Sequence, residues 1–254
     1  EGLADGLLRE GKDLAYYPDV LGAFSMRKLV SGKLKEDRGI NVSPDEIMIT
    51  QGSAEANNLF IQTLTDPGDT VITEEFVYVG TLRQLRRAKA DVVGSKLDKD
   101  GLIPEELEVL IKNLRSQGKN IKFVYTIPEF QNPTGSTLPL DRRIRILKIL
   151  EKYGIPLLED DCYVDLRFEG ETQPSFKSLD SFGLVTHVAS FSKLLAPGLR
   201  MGYVVAEKNL LKRMFSFKSS QVSQFVSLAI EGFLTDNLNE HRGNVQNVLG
   251  KKCD

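Results

Sequence analysis

The sequence is poor in the residues that most often bind metals or cross-link chains. It has two cysteines, Cys162 and Cys253, and two histidines, His187 and His241. Two distant cysteines make neither a disulfide framework nor a metal-ligand spacing, so a reducing, cytoplasmic setting is expected. With so few histidines, neither a histidine-based metal site nor a Ser-His triad is expected, and no metal is assigned. No run approaches the roughly 18 consecutive apolar residues of a membrane span, and the N-terminus lacks a signal pattern. An excess of charge of one sign is missing too. The formal net charge is -2, with Lys and Arg scattered among Asp and Glu. That balance gives no reason to expect nucleic acid or an anionic membrane as partner, and points to small molecules. There is no internal repeat and no low-complexity tract.

What remains is an ordinary globular composition. The chain has 254 residues, 41% hydrophobic and 27% charged, enough for one large core in one or two domains. It begins at Glu1 without methionine and stops at Asp254 in a polar run, so a fragment is expected.

Residues 1–20 are poorly periodic and carry Tyr16 and Tyr17 before Pro18. Leu21, Phe24, Met26, Leu29, Val30 and Leu34 approximate helical spacing. Short apolar runs at 47–50, 70–73, 91–95, 121–126, 155–158, 184–189 and 201–206 read as strands. Helical patterns lie between them at 54–64, 78–88, 104–114 and 141–153, the last stopping at Gly154. Two helical segments follow to the end. The alternation implies right-handed crossovers and a fold of class α/β: three layers, α/β/α, around a mostly parallel sheet of about seven strands. The strand from Met201 follows its predecessor too closely for a helical crossover and is expected to run antiparallel.

Ligands of such sheets sit beyond the carboxyl ends of the strands. The polar clusters lie there: Gly52-Ser53, Asn132, Asp160, and Ser190 to Lys193. Taken singly, each has a simpler reading. Ser53 caps a helix, Asn132-Pro133-Thr134-Gly135 is a turn, Asp160 is a solvated charge or the cap of the next segment, and Tyr17, Tyr78 and Tyr163 are core aromatics with a polar tip. Jointly they describe more. A lysine of lowered pKa forms Schiff bases with aldehydes. An Asp against a pyridine nitrogen keeps the ring protonated and electron-withdrawing. An Asn and a Tyr bond a phenolic oxygen, while a helix terminus, two serines and an arginine hold a dianionic phosphate. The set is a candidate site for pyridoxal 5'-phosphate.

Three stretches then carry a resemblance: Gln131-Asn132-Pro133-Thr134-Gly135, Glu159 through Phe168, and Ser190-Phe191-Ser192-Lys193 continuing to Gly198-Leu199-Arg200-Met201-Gly202-Tyr203. Through them the chain resembles the large domain of fold-type I, pyridoxal-phosphate-dependent aminotransferases of class I/II. It is most similar there to the 2-aminoadipate, kynurenine and aromatic aminotransferase branch. The resemblance implies an enzyme that transfers an amino group between an amino acid and a 2-oxo acid by a ping-pong route, with Lys193 as the Schiff-base lysine and proton carrier. Asp160 would pair with the ring nitrogen. Asn132 and Tyr163 would bond the ring oxygen, Asn132 also facing substrate, and Tyr78 would stack on the ring. Ser53, the N–H of Ala54, Ser190, Ser192 and Arg200 would surround the phosphate. Tyr17 would reach the phosphate of the neighbouring subunit in a homodimer.

Some features depart from the family pattern. Ala54 stands where many relatives carry a polar side chain, and Cys162 replaces a frequent proline. No residue matches the arginine that binds the substrate carboxylate, which belongs to the family's small C-terminal domain. The expected division is an N-terminal segment 1–20, a cofactor-binding domain 21–235, and a connection 236–254 toward a missing small domain. Three rival readings stand beside the aminotransferase. One is the effector-binding domain of a helix-turn-helix transcription regulator; another is a pyridoxal-phosphate lyase of the same fold; the third is a catalytically silent fragment.

Overall fold

The computed structural model describes residues 2–253; Glu1 and Asp254, the outermost residues of the first and last expected segments, lie outside the described residues. In chain order the elements are α1 (Gly2–Glu10), α2 (Phe24–Arg38), β1 (Ile47–Thr50), α3 (Ser53–Leu64), β2 (Thr70–Glu74), α4 (Val79–Arg87) and β3 (Asp91–Ser95). There follow β4 (Leu97–Asp98), β5 (Gly101–Leu102), α5 (Pro104–Ser116), β6 (Ile121–Thr126), α6 (Leu140–Tyr153), β7 (Leu157–Asp160) and α7 (Phe176–Leu179). The chain closes with β8 (Val185–Ser190), β9 (Gly202–Val205), α8 (Lys208–Phe215) and α9 (Gln224–Cys253).

The seven long strands hydrogen-bond in the order β1-β9-β8-β7-β6-β2-β3. The pairs β2/β3, β2/β6, β6/β7 and β7/β8 are parallel. β9 runs antiparallel to β1, from Ile47 opposite Val205 to Thr50 opposite Gly202. The α/β class and the mostly parallel seven-stranded sheet are therefore those read from the sequence.

The chain forms two compact units. The first comprises residues 1–56, 162–172 and 189–254. Its core joins Met26, Val30 and Leu34 of α2 to Ile47 and Ile49 of β1, Tyr203 and Val205 of β9, and Ile230 and Leu234 of α9. The second comprises 57–161 and 173–188. Its strands bury both faces, as alternation along a central strand requires. On one face Phe123 of β6 meets Phe60 of α3 edge-on, with ring centroids 5.0 Å apart. On the other, Ile72, Val124 and Leu157 pack with Leu107 and Ile111 of α5 and Ile146 and Leu150 of α6.

Three departures from the sequence reading have physical causes. The poorly periodic N-terminal stretch contains α1, a helix too short to hold itself and supported by packing on α9. The β4/β5 hairpin has strands of two residues, below the length at which alternation registers. β7 begins two residues later than expected, at Leu157 after Pro156, and ends at Asp160. No helix among the described residues is long and apolar enough to cross a membrane.

Candidate active site

In the first unit, the polar residues at the end of β8 and the start of α3 are held by close backbone packing. A Cβ on Gly202 would come within 2.7 Å of the Ala189 carbonyl and 2.8 Å of the Gly52 carbonyl carbon. Only a glycine lets β9 pass between them. Gly52 has φ +81°, and a Cβ there would meet Arg200 Nη2 at 2.9 Å. Arg200 Nη2 donates to the Gln51 carbonyl at 3.2 Å. Ser190 Oγ, the last hydroxyl of β8, lies 2.9 Å from Ser192 Oγ, accepts the Ser192 N–H at 3.1 Å and reaches the Met201 carbonyl at 3.2 Å. Ser53 and Ala54 begin α3, whose first turn presents the positive end of a twelve-residue helix. Hydroxyls, a guanidinium and a helix N-terminus are thereby gathered around Gly52.

Lys193 follows directly, exposed, and makes no hydrogen bond or ion pair among the described residues. Tyr163, half-buried, precedes the 3-10 turn Val164–Leu166. Tyr17 is 98% exposed and is not drawn to the serine and arginine cluster of its own chain by any hydrogen bond among the described residues.

The second unit positions Asp160, Asn132 and Tyr78. Asp160 ends β7 and is buried. Its Oδ2 accepts Asn57 Nδ2 at 2.7 Å and the Tyr125 hydroxyl at 2.9 Å, and Thr81 Oγ1 donates to that hydroxyl at 3.1 Å. Burial first, and the Asp160 charge second, push the Tyr125 phenol well above its ordinary range. Tyr78 precedes α4 and its ring lies back over Gly80, where any Cβ would overlap it.

Asn132 sits in a braced loop. Gln131 is buried and gives its amide N–H groups to Glu74 Oε2 at 3.0 Å and to the Phe76 carbonyl, while its Oε1 accepts Thr134 N–H at 2.9 Å and Thr134 Oγ1 at 2.8 Å. Glu74, ending β2, also accepts Thr126 Oγ1 at 2.7 Å and the Ile127 N–H at 3.3 Å. Burial raises the Glu74 carboxyl to about 7; its three donors oppose this and the Asp160 charge adds to it. The fully buried Arg143 anchors the loop from below. It pairs with buried Glu129 at 2.7 Å and donates to the carbonyls of Leu138, Pro128 and Pro174.

A second acidic cluster, Glu159, Asp161 and His187, is buried within the same unit. Glu159 takes the N–H groups of Phe176 and Lys177 at 2.7 and 3.1 Å and the His187 Nδ1 at 2.9 Å. Its oxygens thus hold the start of α7.

Sequence reasoning missed Asn57, Thr81, Tyr125 and Glu74. Asn57 is a polar residue on the buried side of α3, beside Ala56, Leu59 and Phe60, and Glu74 is a carboxylate closing an apolar strand. Either oddity was a usable signal. Tyr125 inside a strand gave none.

Within the first unit the hydroxyls and the guanidinium suit an anion such as a phosphate, and within the second the buried Asp160 carboxylate suits a cation. The sequence matches the family model "Aminotransferase class I and II" over residues 3–248. It is 34% identical over 204 residues to aromatic-amino-acid aminotransferase 1 of Thermococcus litoralis, covering 80% of this chain and 49% of that protein. It is 35% identical over 201 residues to an HTH-type transcriptional regulator of Escherichia coli, covering 78% of this chain and 42% of that protein. Among solved structures it superposes on the kynurenine aminotransferase of Pyrococcus horikoshii with a TM-score of 0.90 and 31% identity, covering 97% of this chain and 63% of that one. The chain thus spans about half the length of these curated relatives. With the family match running through nearly all of its residues, this chain belongs to the aminotransferases of class I and II.

Proposed function

We propose that the full-length protein transfers an amino group between an amino acid and a 2-oxo acid, in two half-reactions, with pyridoxal 5'-phosphate as cofactor. The observation that carries this reading is the presence, in a chain of this family, of one residue group suited to each end of such a cofactor. Gly52, Ser53, Ser190, Ser192 and Arg200 suit a dianion, and Asp160 suits a cationic nitrogen. The cofactor, when bound, supplies an aldehyde for the amine and an electron-withdrawing ring.

The chain's own residues do the rest. Ser53, the Ala54 N–H, Ser190, Ser192 and Arg200 bind the phosphate by charge-assisted hydrogen bonds. Asp160 holds the proton on the ring nitrogen. Asn132 and Tyr163 orient the ring oxygen, Asn132 also facing the substrate, and Tyr78 covers the ring face. Lys193 Nζ would hold the aldehyde and, when free, would carry the proton of the substrate Cα. Tyr17, nearly fully exposed, serves the phosphate of a second copy in a homodimer. That role is tested by whether Tyr17→Phe loosens cofactor retention without changing oligomeric state.

Borohydride reduction of the full-length protein with pyridoxal phosphate, followed by peptide mapping, tests the assignment. A pyridoxyl group on Lys193, with turnover on amino-donor and 2-oxo-acid panels, supports it. Folded protein with no label on Lys193 refutes it. A labelled protein without turnover on any pair would favour the effector-binding reading, the role suggested by the regulator among its relatives.

A further inference from the structure

Three polar side chains around Asp160 direct their hydrogen bonds toward its carboxylate. The Asn57 amide nitrogen carries only donors, and it lies 2.7 Å from Asp160 Oδ2. Turning the amide over would set its oxygen against the carboxylate, so Asp160 dictates its orientation. Thr81 gives its proton to the Tyr125 oxygen, which leaves the phenolic proton for the same Oδ2 at 2.9 Å. Both donors converge on one oxygen.

The arrangement has a visible cost. Asn57 Oδ1 is buried and accepts no hydrogen bond among the described residues. An unsatisfied buried carbonyl is unfavourable, and an apolar side chain would suit this helix face better if packing were its only task. Burial and the Asp160 charge push the Tyr125 phenol up, and the Glu74 charge adds to this.

We propose that Asn57 and Tyr125, the latter oriented by Thr81, are positioning residues that hold the Asp160 carboxylate aimed at the cofactor's ring nitrogen. The proposal rests on the cofactor reading above. Neither residue touches the reacting atoms. Both set how firmly Asp160 holds the ring proton, and so how strongly the ring draws electrons. Removing a donor makes the carboxylate more basic and draws that proton toward Asp160. The ring then withdraws fewer electrons, and the lysine-bound cofactor holds its own imine proton to higher pH.

The test is a visible-absorbance pH titration of the lysine-bound cofactor in the full-length protein, for wild type, Tyr125→Phe, Asn57→Ser, Thr81→Val and Thr81→Ser, with steady-state kinetics alongside. Borohydride labelling of Lys193 in the wild type comes first. A hydrogen bond to a charged group is worth roughly a tenfold change in an equilibrium. Tyr125→Phe and Asn57→Ser are therefore expected to move the absorbance midpoint upward and to lower kcat about tenfold with KM for the amino donor little changed. Thr81→Val is expected to follow in the same direction by less, and Thr81→Ser to restore wild-type behaviour. An unlabelled wild type would overturn the cofactor reading and the proposal with it. A labelled wild type whose folded Tyr125→Phe and Thr81→Val variants keep the wild-type midpoint would overturn the proposal alone. Tyr125→Phe and Thr81→Val preserve shape, so they decide the matter even if Asn57→Ser fails to fold.

Discussion

Replacing Glu74 by Gln gives a sharp test of the electrostatics beneath the Asn132 loop. Burial lifts the Glu74 carboxyl from its ordinary 4.5 to about 7. Below pH 4.5 the group is protonated in both folded and unfolded chains and no penalty arises. Between 4.5 and about 7 the folded chain holds a proton that the unfolded chain has lost, so stability falls as pH rises through this window. Above it the full penalty applies, ~3 kcal/mol from the spacing of the two values. Glutamine fits the same contacts. Its carbonyl accepts from Gln131 and the Ile127 N–H, and its amide donates to Thr126 Oγ1. Glu74→Gln is thus expected to exceed wild type by under about 1 kcal/mol near pH 5 and by about 3 kcal/mol near pH 8. Urea unfolding of the full-length protein at both pH values measures this, since other titrating groups cancel in the difference. A difference between variant and wild type that is the same at pH 5 and pH 8 would refute the reasoning.

Other expectations follow from the same geometry. Arg143→Met takes the cation away from buried Glu129 and is expected to cost about 3–5 kcal/mol, read from the urea midpoint; adding Glu129→Leu should recover much of it. Gly202→Ala forces a Cβ against the Ala189 carbonyl and the Gly52 backbone and is expected to cost roughly 1–3 kcal/mol and to weaken binding of pyridoxal phosphate, measured by thermal unfolding with and without it. Lys193→Ala should abolish transamination and borohydride labelling while some non-covalent cofactor binding persists; unchanged turnover would remove the lysine from its role.

How much was legible in the sequence depended on the range of the signal. Strands such as Ile47–Thr50 and Ile121–Thr126 announced themselves because buried parallel strands are short, continuous apolar runs. Ser190, Ser192, Lys193 and Arg200 were found because they lie within eleven residues of one another in a recognisable order. Asn57, Tyr125 and Asp160 are far apart in the chain, and only the packing of α3 on β6 and the pairing of β6 with β7 bring them to one oxygen. No local pattern encodes that meeting. Helix α1 was missed for a related reason, since its support comes from α9 more than two hundred residues later.

The bracing of the Asn132 loop constrains which residues can be exchanged. Gln131 uses both ends of its amide at once, giving protons to Glu74 and the Phe76 carbonyl and taking them from Thr134. A swap that put Gln at 74 and Glu at 131 would keep their mutual bond and still receive Thr134. It would strand the Phe76 carbonyl, which needs a donor that glutamate lacks. Positions 74 and 131 are therefore not interchangeable partners, and the polarity of their contact fixes which end of the pair belongs to the strand and which to the loop.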